Sequence, residues 1–455
     1  LDAFTTIGLP PLVLSSAVKS DMKLENPDEL MITRLSAIVV ASLSLLWPLG
    51  TAHAAVREWD GDASMDNKWM TAENWAGNTA PSPGDFLLFR SSQRHPNNEN
   101  NFPTSTTFGS IEFDGGGPGM GYNISGNPIA LNAGLRVENN SGQAIDHTLN
   151  NSLHLNSNQT FTIINDVGIL FLTGTIDLNG KGLRFDVATA SEARAQGVIS
   201  GAGGVIKTGA GLLMLTANNT YTSATALNAG TLQINGAQPA SPVFLAAGTL
   251  KGIGTVGTLS STGGGGPGSI LISPGGSPGI LTSSNIALNA STTLALELNG
   301  TTPGSGYDQL NVNGSVTLNN AALSITLDFT PALGNSFTIV NNDGVDAVAG
   351  RFSGLPQGAT FFVGTTQFQI NYAGGNGNDV VLTRIVSLEI ERVSTNAVRL
   401  LWPTNGAAGF DLECNTNLAT TNWVLASPPP TVVGAKNVVT NAFPPSHKFY
   451  RLHKQ

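Results

Sequence analysis

The chain has 455 residues, of which 54 are glycine and only 11% are charged, with 21 Lys and Arg against 30 Asp and Glu for a net charge of −9. So few charges exclude a disordered polyelectrolyte, and the lack of any basic cluster leaves nothing to neutralise a run of phosphates, which excludes nucleic acid as a partner. Cys414 is the single cysteine, so no internal disulfide can form; it reads as a small buried apolar residue, and stability must come from burial.

Residues 1–30 begin at Leu1, precede plausible starts at Met22 or Met31, and read as an over-extended N-terminus. Residues 31–54 have the order of a secretory signal: Arg34, an apolar core from Leu35 to Leu49, then Ala52 and Ala54 at an A-x-A site. Cleavage is expected after Ala54, with Ala55 as the first mature residue. The core is shorter than the ~20 apolar residues of a spanning helix, which favours a cleaved signal over a stable transmembrane anchor.

Residues 55–104 hold three of the five tryptophans that follow the signal: Trp59, Trp69 and Trp75. Large indoles can cover the open end of a stack of coils, or they can offer flat faces to sugar rings. Residues 90–104 are polar and Asn-rich and read as a loop. From 105 onward short apolar runs alternate with turn residues, as at Ile129 to Val137, Phe161 to Ile164 and Leu183 to Phe185. Residues 188–196, ATASEARAQ, are the one helix-favouring run in the middle of the chain. They are too short for an unsupported helix and are assigned to a decorated corner.

Residues 197–236, GVISGAGGVIKTGAGLLMLTANNTYTSATALNAGTLQING, carry the most information. Leu213, Leu215, Leu227, Leu232 and Ile234 recur at the period of 2 that points alternate side chains to one face. Gly201, Gly203, Gly204, Gly209, Gly211 and Gly230 punctuate them as corners, where φ > 0 is tolerated without steric cost. Strands this short bury an apolar face only when copies stack above and below them, as in a solenoid.

Residue by residue, this segment resembles the autotransporter-associated β-strand repeat of secreted bacterial surface proteins, through the six glycines, Lys207, Leu213, Leu215, Asn219, Tyr221, Thr225, Leu227, Thr231 and Leu232. It departs at Ser223-Ala224, where the family usually has glycine. The W-D-G opening at Trp59 and the S-P-G-G-S-P-G double turn around Pro274 and Pro278 are similar to the same family. The resemblance covers about 56–384 and implies a right-handed parallel β-helix, its last rungs running through Ser336 to Val340, Gly350 to Leu355 and Thr360 to Thr383. With coils of roughly 20–25 residues stacked ~4.8 Å apart, its length is on the order of 60–75 Å.

At Ile385 glycine thins out and strands lengthen, and 385–455 resembles a small fibronectin type III-like β-sandwich, with Trp402 and Trp423 as its informative pair. Autotransporters close instead on a membrane barrel, so export is expected to use another route. The fold class is therefore all-β: a β-helix over 105–384 behind a Trp-rich cap, followed by a sandwich.

Chemistry is sparse. From Thr208 to Leu296 the single charged residue is Lys251, whereas polysaccharide-cleaving sites need clustered carboxylates. The histidines are scattered; His147 and His154, seven apart among asparagines, read as a solvated pair rather than zinc ligands. Residues 374–382 fit one copy of the calcium nonapeptide, making Asp379 a weak calcium candidate, although such ions are shared between successive copies. Turn chemistry explains Asp379, Asp343 and Asp346 equally well. The remaining acidic groups, Asp60, Asp62 and Asp66, fall toward the other end. No catalytic residue and no cofactor is implied. What the resemblance implies is a non-catalytic adhesion or structural protein, secreted or on the outer surface of a Gram-negative-type bacterium, whose partners are extracellular polysaccharide or other cell-surface components. The alternative is a β-helix that binds or degrades polysaccharide.

Export tests the first element of this reading. Replacing Leu43, Leu45 and Leu46 with Asp is expected to abolish it, because the core no longer partitions into the membrane. A mature terminus upstream of Met31 refutes the assignment.

Overall fold

A computed structural model describes residues 54–455 apart from 64–65, 91–93, 116–120, 140–142, 165–167, 405, 443–446 and 455. The extended N-terminus and nearly all of the signal segment lie outside the described residues. Strands and the turns between them make up the described chain, with no α-helix among the described residues, and three sheets, parallel for most of their length, wind together as a solenoid. Among the described residues the first sheet has 15 strands, running on its main path from Val56–Trp59 to Val316–Thr317, and the second has 11, from Asn97–Asn100 to Ala322–Leu327. A third sheet begins later, at Ala237–Gln238.

Alternation dictates what each rung buries. In register through the first sheet, Leu87, Ile111, Leu135, Phe161, Phe185, Lys207, Leu227 and Leu245 stack inward, all of them buried. In the second sheet Leu170, Ala193, Leu213, Leu232 and Leu250 do the same. The run 188–196 is corrected by this ladder: Glu192–Ala195 is a strand, with Ala193 and Ala195 inside it. Alanine favours helix in isolation, but a strand paired on both sides gains hydrogen bonds and burial that outweigh a propensity of tenths of a kcal/mol, about 0.5.

The corner glycines divide into two kinds. Gly201, Gly209 and Gly230 have φ of +96°, +71° and +71°. Gly203, Gly204 and Gly211 do not take positive φ, which corrects the expectation; they are glycine because the neighbouring coil runs too close. A Cβ on Gly203 falls 1.8 Å from the Lys181 carbonyl oxygen. Gly230 has both constraints, since a Cβ there lies 2.3 Å from the Gly209 oxygen.

Both ends of the stack are closed. At the N-terminal end the three tryptophans are fully buried, Trp59 and Trp75 edge-on at 5.3 Å between ring centroids and Trp69 against Phe89 and Phe108 at 5.6 and 5.7 Å. Their indole N–H groups donate to Arg94 O, Asn98 Oδ1 and Trp69 O, so no ring face remains for a sugar. Asn97–Asn100, expected as loop, is the first strand of the second sheet, with Asn98 and Asn100 buried. Its outer edge is covered by Asn67 to Trp69, which exchange backbone hydrogen bonds with Glu99.

At the other end Ser336–Asn342 is a parallel rung on Gln309–Val312, as expected, and the expected rungs after it are corrected. Ser336–Asn342 pairs antiparallel with Asp379–Arg384, which pairs antiparallel with Thr366–Gly374, followed by Thr360–Val363. Gly350 to Leu355 is not a strand; Ala349 bridges Thr317, and Phe352 is pinned by its N–H donating to Tyr372 Oη at 3.0 Å. Parallel pairing thus ends at Ala322–Leu327 in the second sheet and at Ser336–Asn342 in the third, and the twelve strands on the main path of the first sheet span about 53 Å at ~4.8 Å per step. Coils vary in length, from the step Val243 to Leu259 to the step Ile286 to Val316.

Beyond Arg384 lie two small antiparallel sheets around a core of Leu400, Trp402, Ala407, Leu412 and Val439, with Cys414 buried beside it. Trp402 and Trp423 part company: Trp423 is half-buried, with the Arg451 guanidinium 4.3 Å over its ring.

Lys207 is the exception inside the first ladder. It is buried between Phe185 and Leu227, and its ammonium donates to the carbonyls of Thr208 and Gly209, both at 2.7 Å, and of Ala229 at 3.3 Å. It thus braces two consecutive corners. Burial pushes its pKa down to about 8, with Asp186 opposing.

Leu232→Ala is expected to cost ~2–5 kcal/mol through the cavity it leaves, and Gly230→Val to lower the melting temperature at least as much. Wild-type melting in both places these residues outside the core. Because the pKa of Lys207 is depressed on folding, its stabilising contribution is complete above about 10.5 and is lost as pH falls through about 8. The stability of the wild type relative to Lys207→Met is expected to rise between these pH values; a constant difference refutes titration of the buried ammonium.

Candidate functional surface

The outward positions of the first sheet bear the densest charge. Arg90 lies 3.3 Å from Glu58 and 3.9 Å from Asp114, and Arg136 pairs with Glu112 at 3.2 Å and with Glu138. All but Arg136–Glu138 are cross-rung pairs, and all are partly open to solvent, each worth a fraction of a kcal/mol, about 0.5. Two arginines against four carboxylates leave this group acidic.

The same face bends. Thr106–Gly115 and Ile129–Asn139 are long enough to turn a corner, through a register shift between Phe108 and Ser110 and through Gly134 at φ +99°. Two shallow troughs of about 290 and 280 Å³ follow the bend and share Thr160. One is lined by Ser110, Glu112 and Arg136, the other by Asn158, Gln159 and Arg184. Hydroxyls, amides and guanidinium groups at this spacing can exchange hydrogen bonds with a polyhydroxylated chain.

The largest pKa displacements are at buried groups instead. His147 is not a solvated residue: it is buried, stacked 4.6 Å from Phe113, accepts the Tyr122 N–H at 3.2 Å, and is driven down to about 4 by burial. Burial raises Tyr221 to about 12 and Asp308 to about 6. Tyr221 is tied to Thr225, and Asp308 accepts the Gly279 and Glu297 N–H groups. None of them lines the troughs.

His154 belongs to a different sheet from His147, and its Nδ1 lies 2.8 Å from Asp177 Oδ2. This pair, one coil apart, escaped sequence reading; the coil period of 23 residues is the signal that finds it. The register places Ser200 beyond Asp177 and Ala130 on the other side of His154. The order along the stack is therefore His, Asp, Ser, whereas nucleophilic activation requires His between Ser and Asp.

The two acidic corners are brought together. Asp379 is nearly buried and its Oδ1 accepts the Asn342 N–H at 2.9 Å; Asn342 Nδ2 donates to Asp346 O, and Asn378 Nδ2 to Gly344 O. Gly375, at φ +56°, lies so close that a Cβ would fall 1.7 Å from Asp379 Oδ2. Calcium takes six to eight oxygens. With one carboxylate committed to backbone, and no cluster of three metal-binding side chains among the described residues, this donor set does not fit the ion. Ala54 is exposed, and Ala55 begins the hydrogen-bonded frame.

Comparison with known proteins gives the same picture. Residues 205–234 match the passenger-associated-transport-repeat family. The chain is 28% identical over 215 residues to an extracellular serine protease of Serratia marcescens, covering 45% of this chain and 20% of that protein. It is 42% identical over 83 residues to the adhesin BmaC autotransporter of Brucella suis, covering 17% of this chain and 2% of that protein. The chain thus spans a fifth or less of the length of either relative. No solved structure is a significant match. In its repeat, in its relatives and in its parallel solenoid, the chain is similar to autotransporter passengers.

Proposed function

We propose that this protein is a non-catalytic adhesion or structural element, exported and displayed at or released from the surface of a Gram-negative bacterium. The observation that carries the reading is the distribution of chemistry. From Thr208 to Leu296 Lys251 alone is charged, and the groups with the largest pKa displacements, among them His147, Lys207, Tyr221 and Asp308, are buried. The similarity to an adhesin over 83 residues supports the same reading. The Serratia relative is a protease as a whole, but this chain spans 20% of it, and the His154–Asp177 pair has the wrong order for a triad.

A second reading, recognition of extracellular polysaccharide without cleavage, is favoured by the troughs that meet at Thr160. Both readings are tested on the purified chain from Ala55 onward, incubated with a panel of plant and algal polysaccharides with and without chelator. No reducing sugar is expected, and no chelator-dependent loss of melting temperature. Release that disappears on Asp343→Ala or Asp379→Ala overturns the non-catalytic reading. Retention on a polysaccharide column that is lost in Arg184→Ala selects the second reading, while attachment of displaying cells that is indifferent to Arg184→Ala selects the first.

A further inference from the structure

Among the described residues, the hydrogen-bonded frame begins at Ala55. Its N–H donates to Asp85 Oδ1 at 2.8 Å and its carbonyl accepts the Phe86 N–H at 2.8 Å, while Ala54 stands exposed before it. Asp85 is 4% exposed. Its second oxygen receives Arg57 Nε and the Ser82 N–H, both at 2.9 Å. Desolvation pushes this carboxyl up, but the Ser82 and Ala55 N–H groups and Arg57 together pull it below its ordinary value. Independently, the A-x-A pattern at Ala52 and Ala54 places the cleavage expected from sequence at the Ala54–Ala55 bond. The bond that a signal-cleaving protease is expected to cut is thus the bond at which the folded frame begins.

We propose that cleavage after Ala54 creates an α-ammonium on Ala55 that pairs with the buried Asp85 carboxylate, so that processing itself completes the closure of the first coil. Hydrolysis consumes one water, leaves the new carboxylate on Ala54, and frees an α-amine on Ala55 that takes up a proton. The uncut chain offers Asp85 a neutral amide N–H; the cut chain offers a cation at the same place, and a charge-assisted hydrogen bond to a screened carboxylate is roughly twice as strong as a neutral one. Asp85 sets the turn from Ser82 into the second strand of the first sheet, and Arg57 lies on the first strand, so the pair fixes the register of the terminal rung. That rung has a full strand on one side and only the bridge from Trp75 and Ala76 on the other. The inference does not depend on what the surface binds.

The test compares the chain beginning with a free Ala55 amine against the same chain with that amine acetylated, which keeps the N–H and removes the charge. The charged groups on the first strand and the strands against it are Arg57, Glu58, Asp85, Arg90, Glu112 and Asp114, and all of them are common to both chains. Acetylation removes only the amine, whose pKa the Asp85 carboxylate is expected to raise above its usual ~7.7–8.0. A raised pKa gives stability that is complete below the unfolded value and is lost as pH rises through the folded one. The free-amine chain is therefore expected to melt higher than the acetylated one at pH 6.5, with the difference vanishing toward pH 9.5, and Asp85→Asn is expected to remove that pH dependence. An amine that titrates at its ordinary value with equal melting in both forms overturns the proposal. So does exported protein whose first residue, by mass spectrometry, is not Ala55.

Discussion

Everything in this molecule depends on the backbone hydrogen bond from one coil to the next. Parallel strands pair in register at ~4.8 Å, so each coil must present its corner, its inward side chains and its outward side chains directly above those of its neighbour. That spacing explains why Gly203 and Gly211 are glycine although neither takes a left-handed φ: at such an approach a Cβ meets a carbonyl oxygen. It also explains why the two ends look alike in purpose and unlike in sequence. An open rung is a row of unpaired donors and acceptors, ready to pair with another chain. The buried tryptophans with Asn67 to Trp69 close one end, and the antiparallel strands after Ser336 close the other.

Stacking in register makes each inward ladder a single object, and Lys207 shows what such a ladder tolerates. An ammonium among apolar side chains is costly unless its donors are satisfied. Here the side chain is long enough to reach past the rung to the carbonyls of Thr208, Gly209 and Ala229, groups that turning corners leave without strand partners. Tyr221, Thr225, Ser241 and Gln238 form the corresponding polar cluster at another corner, joined at 2.6 to 2.9 Å. The interior is thus apolar along the strands and polar where the chain turns.

This division governs what could be read from the sequence. The period of 2 and the glycine punctuation are local, so the β-helix, the inward leucines and the corners of 197–236 were legible. What failed were segments whose state is decided by a neighbouring coil. Glu192–Ala195 has the composition of a helix and Asn97–Asn100 that of a loop; both became strands because hydrogen-bonding partners arrive from coils above or below. His147 likewise looks like a surface residue among asparagines until Phe113 is stacked against it. The antiparallel closure could not be told from further rungs, since a strand's alternation is the same in either direction. The surface was legible as a scarcity of charge, but the pairing of His154 with Asp177 and the troughs along the bend required the register.

The scarcity of charge follows from the same constraint. A charged residue repeated in successive coils stacks like charges at ~4.8 Å, a repulsion of about 1 kcal/mol in water and several times that near a protein surface. Where this chain does stack them, Asp114 above Glu138, arginines bracket the pair: Arg90 lies 3.9 Å from Asp114, and Arg136 contacts Glu138. Where the repeat is most regular, between Thr208 and Leu296, it avoids the problem by carrying almost no charge. A catalytic carboxyl pair needs two acidic groups held close, one protonated and one ionised. The faces of the coils between Thr208 and Leu296 carry no acidic residue, so contacts there are spread over many weak hydrogen bonds. Strong local electrostatics are left to places where the register ends, as at Asp85 beside the first rung and Asp379 beside the last.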